Sequence, residues 1–118
     1  MLIKDYFQGV ESRIALFPEV VEYQVTKDAR FLHIGIIEGV VIFQDDSVLH
    51  FIEFVDVKKP VEVYRYHYQD HDGSLIFRYD MAPHHKELKT FPHHKHLPEN
   101  QVITASEPNL TNVLDEID

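Results

Sequence analysis

Cysteine is missing from this 118-residue chain, and bases are scarce, with 11 Lys and Arg against 20 Asp and Glu. Without thiols there are no disulfide staples and no thiolate zinc sites, which fits a reducing cytosol and a cytoplasmic location. A formal net charge of −9 argues against diffuse attraction to a nucleic-acid backbone, so any contact with RNA needs a local basic patch. No apolar run approaches the roughly 18 residues of a membrane span, and the opening Met-Leu-Ile-Lys-Asp lacks the pattern of a signal peptide. No internal repeat and no low-complexity linker interrupts the chain, so one domain covering residues 1–118 is expected. What is present is a 44 % hydrophobic, 12 % aromatic composition, enough to build a core without a metal or a disulfide.

Between Ile3 and Leu16 the residues Ile3, Tyr6, Phe7, Val10 and Ile14 recur at spacings of three and four, and Phe17 extends the series. This spacing predicts an amphipathic helix that stops before Phe17-Pro18. From Val20 the period becomes two, with β-branched and aromatic residues dominant. Five strands are predicted: Val20 to Lys27, Phe31 to Phe43 with a candidate bulge at Gly35 or Gly39, Ser47 to Val57, Val61 to Gln69, and Ser74 to Asp80. The turns Asp28-Ala29, Gln44-Asp45-Asp46, Lys58-Lys59-Pro60 and Asp70-His71-Asp72-Gly73 are too short for anything but antiparallel neighbours. The expected class is therefore α+β, a five-stranded antiparallel meander with the N-terminal helix packed on one face. Pro83, Pro92 and Pro98 mark a long loop, followed by a candidate strand at Gln101 to Thr104 and a short C-terminal helix, Leu110 to Ile117.

Alternation along Val61 to Tyr68 separates Tyr64, Tyr66 and Tyr68 from Arg65 and His67. If Gln69 pairs with Ser74, Arg65 lies opposite Arg78 and Tyr64 opposite Tyr79, with Asp80 continuing the arginine face. Adjacent arginines need an anion. Glu53, placed opposite Arg65 by a three-residue loop, is one candidate, and a phosphate held by paired guanidinium forks is another. A solvated charge ladder is the plain alternative, and a tyrosine-lined strand face is ordinarily core.

Five of the nine histidines fall between His84 and His96, with three lysines and one glutamate. Two Pro-His-His units could gather nitrogens for zinc, nickel or copper, yet no pair there has helical i, i+4 spacing. Adventitious binding is thus expected rather than a dedicated metal site, and no cofactor is assigned. Imidazoles beside Arg and Lys suit acid/base chemistry on a phosphodiester better. His33, His50 and His71 read as structural or exposed.

The strings Tyr-Arg-Tyr-His-Tyr-Gln-Asp (64–70), Leu-Ile-Phe-Arg-Tyr-Asp (75–80), Ala-Pro-His-His (82–85) and Thr-Phe-Pro-His-His-Lys-His (90–96) carry a resemblance. Together with the ending Glu-Pro-Asn-Leu through Leu-Asp-Glu-Ile, they resemble the TumE family of small prokaryotic proteins over about Asp45 to Asp118. That resemblance implies the toxin half of a type II toxin–antitoxin pair, masked by a cognate antitoxin. Position by position it implicates Tyr66, Tyr68, Arg78, Tyr79, Asp80, His84, His85, His93, His94 and His96. Met81 stands where the family usually has Asn.

The expected activity is metal-independent RNA cleavage. His84, His85, His93 and His94 are the candidate acids and bases, and Arg65, Tyr66, His67, Arg78, Tyr79, Asp80, Lys95 and His96 are the candidate substrate-binding residues. Two other readings stay open: a non-enzymatic protein-binding module, and a metal-dependent site on the Pro-His-His units. A meander leaves two unpaired edges, which also permits a homodimer.

Overall fold

The computed structural model describes residues 1–59 and 63–118. Helix α1 (Ile3–Leu16) is followed by β1 (Val20–Asp28), β2 (Ile34–Phe43), β3 (Val48–Asp56), β4 (Val63–Gln69) and β5 (Leu75–Asp80). Then come β6 (His94–Leu97), β7 (Gln101–Thr104) and α2 (Leu110–Ile117). The strands lie in chain order in one sheet, each antiparallel to the next. The class is α+β as expected, but the meander has seven strands, not five. One of the extra two, β7, is the candidate strand at Gln101 to Thr104, here joined to the sheet; the other, β6, is only four residues long, too short for alternation to register against the surrounding prolines. They pair through a turn in which Glu99 and Asn100 both take positive φ, a backbone that suits the twist of a hairpin.

Both helices lie on one face of the sheet. Ile3, Phe7, Val10 and Ile14 of α1 are buried against Ile37, Val41, Leu49 and Phe51, while Leu110, Val113 and Leu114 of α2 extend the same core. The α2 start is fixed by a reciprocal cap: Asn109 Oδ1 accepts from the Asn112 amide at 2.8 Å, and Asn112 Oδ1 accepts from the Asn109 amide at 3.1 Å. Its far end reaches Tyr79 and Lys95 through Glu116.

Three expectations of register are corrected. Neither Gly35 nor Gly39 bulges, since β2 and β3 pair without interruption through both. Gly39 is required instead by close approach, because a Cβ there would run into the Phe51 ring. In the β4–β5 hairpin, Arg65 faces Asp80 and His67 faces Arg78, a shift of two from the expected pairing. Asp70, not Gln69, bonds to Ser74 at the turn, where Gly73 takes φ +87°, which accounts for one residue of offset, and an irregularity at Tyr68/Gln69 adds the second. Finally, Arg65 lies opposite Ile52, and Glu53 opposite Tyr64. Glu53 shares the parity of Leu49, Phe51 and Val55, so it points into the helix-covered side, where Tyr6 donates to it at 2.6 Å and Tyr66 also donates. The predicted start of this strand at Val61, and part of the Lys58-Lys59-Pro60 turn, lie outside the described residues.

Candidate functional site

No described helix covers the other face of the sheet, and its side chains form two rows across the strands. In one row Val40, His50, His67, Arg78, His96 and Val102 are successive cross-strand partners. In the next Glu38, Ile52, Arg65, Asp80, His94 and Thr104 stand in line. The alternation that buries Tyr64, Tyr66 and Tyr68 is what turns Arg65 and His67 outward.

Asp80 organises the rows. Its Oδ1 lies 2.6 Å from His94 Nε2 and accepts from the Ala82 amide at 3.2 Å; its Oδ2 accepts from Arg78 Nε at 3.2 Å and lies 3.4 Å from His96 Nε2. His94 is only 2 % exposed, and its other nitrogen, Nδ1, donates to the Pro92 carbonyl at 2.9 Å. His85 comes over this end of the face from the long loop, with ring centroids 5.1 Å from His94 and 5.9 Å from His96. Ligand nitrogens of His85, His94 and His96 all lie within 4.8 Å of one another.

Burial and positive charge favour the neutral form of two rings on this face. Burial, then the nearby Arg78 guanidinium, pushes His96 below the usual histidine range, with Asp80 pulling weakly the other way. His67 is depressed by burial, then by Arg78 and His50. The His50 and His67 rings sit 6.2 Å apart. Among the described residues no carboxylate forms an ion pair with Arg65, which leaves its guanidinium to solvent. A hollow opens toward each end of the rows. One, of about 420 Å³, is lined by Gln24, Glu38, His50 and Arg65 among others, and one of about 380 Å³ by Ser74, Arg78 and His96 among others.

Of the residues singled out from sequence, the fold gathers Arg65, His67, Arg78, Asp80, His85, His94 and His96 on this face. It places five others on the helix-covered side, among them Tyr68, buried in the core with its hydroxyl 2.7 Å from Ser47 Oγ. Tyr66 is buried against Glu53, and Tyr79 and Lys95 bond to Glu116 at 2.5 and 2.6 Å. His93 stacks on Tyr64 with Nδ1 2.8 Å from the phenol oxygen. His84 is exposed and takes part in neither row. Met81 packs partly buried against the core. His50 was missed, although its parity with Ile52 and Phe54 on an alternating strand already turned it outward. The pair His94-x-His96 was also missed as a unit: two residues apart is a strand spacing, and it sets both rings on one face.

Fold and site together define a small α+β protein that presents an uncovered sheet face of imidazoles and guanidiniums around one buried carboxylate. The chain belongs to the TumE toxin family: the family model described as Toxin TumE matches residues 10–118, reaching back into α1. No curated protein and no solved structure matches it. Among the described residues no helix is long and apolar enough to cross a membrane.

Proposed function

We propose that this toxin cleaves RNA on the uncovered sheet face. The observation that carries the reading is the row His50–His67–Arg78, with Arg65 beside it, lying between two hollows. A backbone phosphate held by Arg65 and Arg78 leaves a hollow on either side for the flanking nucleosides. His67, neutral near pH 7, accepts the proton of the 2′-hydroxyl. That oxygen attacks the adjacent phosphorus, the bond to the 5′-oxygen breaks, and His50, as the general acid, delivers a proton to the departing oxygen. Arg65 and Arg78 stabilise the charge that builds on the phosphorus oxygens. These proton transfers need no metal. His85 and His94 border the site and hold its geometry.

An antitoxin that silences the activity would cover this face, and an acidic segment lying along Arg65 and Arg78 would compete directly with RNA. Self-association, if it occurs, has the β1 edge available, where Val21 and Tyr23 are exposed. The reading places the protein in the cytoplasm, where its RNA substrate is.

The test is to incubate untagged protein with total RNA and defined oligonucleotides, with and without EDTA, and to resolve the products on a denaturing gel. Discrete fragments ending in a 2′,3′-cyclic phosphate support the mechanism. Intact RNA under every condition removes it and favours a protein-binding toxin.

A further inference from the structure

The corner of the face nearest the long loop holds more donor atoms than proton transfer uses. His94 and His96 project side by side from β6, and Asp80 meets them from β5 with one oxygen toward each ring. His85 completes the group from a residue at φ +58°, a backbone state that L side chains rarely adopt. Because His94 Nδ1 donates to the Pro92 carbonyl, a neutral His94 ring presents the lone pair of Nε2 to the Asp80 oxygen 2.6 Å away. Two lone pairs at that distance repel unless a cation lies between or beside them. A proton can serve, but a proton gives His85 and His96 no reason to converge on the same point.

We propose that His85, His94 and His96, with Asp80 as the carboxylate ligand, form a binding site for one divalent first-row transition ion of the zinc class. Three imidazoles and one carboxylate suit such an ion and not magnesium or calcium, which take oxygen ligands. In a tetrahedral site, Zn–N bonds of about 2.0–2.1 Å set the nitrogens roughly 3.3 Å apart. The nitrogens here lie within 4.8 Å of one another, so ring shifts of at most roughly 1.5 Å close the site. The surrounding bonds are those of ligand support: the Pro92 carbonyl fixes the His94 tautomer, while Arg78 and the Ala82 amide hold the two Asp80 oxygens. With four protein ligands the site is closed, and the ion pins the Met81–His93 loop to the sheet beside Arg78. His84 and His93 point elsewhere and take no part.

The experiment uses the full chain without a histidine tag, stripped with chelator and dialysed. It is titrated with Zn²⁺ by calorimetry and with Co²⁺ by visible absorption, and its Tm is read with and without Zn²⁺. One ion per chain, tetrahedral Co²⁺ bands and a raised Tm are expected. His85→Ala and His96→Ala should weaken binding by more than the roughly 10–100-fold that loss of an outer partner costs. His84→Ala and His93→Ala should bind as the parent does. His85 lies in a loop, so its variant keeps the fold, checked by circular dichroism. Absence of binding at micromolar Zn²⁺, or binding that survives both His85→Ala and His96→Ala, overturns the proposal. No RNA enters the experiment, so its outcome is independent of the cleavage reading.

Discussion

Asp80 and His94 face each other across the β5–β6 ladder, carboxylate oxygen to imidazole nitrogen at 2.6 Å, with His94 almost wholly withdrawn from solvent. The pair fastens a four-residue strand that has little apolar surface of its own. Removing the carboxylate leaves a buried polar ring facing nothing. In chelator-treated protein, Asp80→Ala should therefore lower unfolding stability by about 3 kcal/mol in urea. A change under about 0.5 kcal/mol, the size of an ordinary surface substitution, would mean that the pair contributes little.

Tyr66 is expected to matter to stability and not to activity. Its hydroxyl donates to Glu53, which is 1 % exposed and also bound by Tyr6. Burial, then Glu53, raises the Tyr66 pKa and keeps the phenol protonated at any physiological pH. Tyr66→Phe should cost about 1.5–3 kcal/mol, as for a hydrogen bond to a charged group. Growth inhibition should be retained at temperatures where the variant is folded. Loss of toxicity in stably folded Tyr66→Phe would return this residue to the working surface.

Gly39→Ala forces a methyl group into the Phe51 ring and should cost about 1–3 kcal/mol. Trimming the ring with Phe51→Leu in the same chain should recover part of the loss. Additive losses in the double variant would show that the two positions are not in conflict.

The pH dependence of cleavage follows from His67. Its proton is displaced by burial, by Arg78 on β5, by His50 on β3 and by Arg65 on its own strand, so its folded pKa lies below the usual histidine range of about 6.5. The base is active when neutral. On its acid limb the rate should rise with pH, with a midpoint below that value. The same shift contributes stability that is present above the unfolded pKa and lost as pH falls through the folded one. An NMR titration of the ring checks the shift directly, and a midpoint above about 7 would contradict it.

Much of the fold was legible, because α1, the first five strands and α2 each carry a strong period or a cap. Side-chain parity was legible too: Arg65, His67 and Arg78 were correctly set on one face even though the hairpin register was off by two. An even shift leaves the faces unchanged, whereas the single-residue slip at Glu53 moved that carboxylate from the arginine row into the core. The site itself was only half legible. Within His84 to His96, density alone cannot say which rings point where. The four-residue strand β6 turns His94 and His96 toward the uncovered face and Lys95 toward the helices, and nothing in the composition shows that strand.

The most direct test of the account is a comparison of two single-histidine variants in the RNA cleavage assay, His67→Ala on the uncovered face and His93→Ala on the helix-covered one. The account expects His67→Ala to lose at least about 100-fold in rate, the scale of a general base, with its Tm little changed, and His93→Ala to cleave like the parent. Full activity in His67→Ala together with loss in His93→Ala would place the chemistry on the opposite side of the sheet and contradict it.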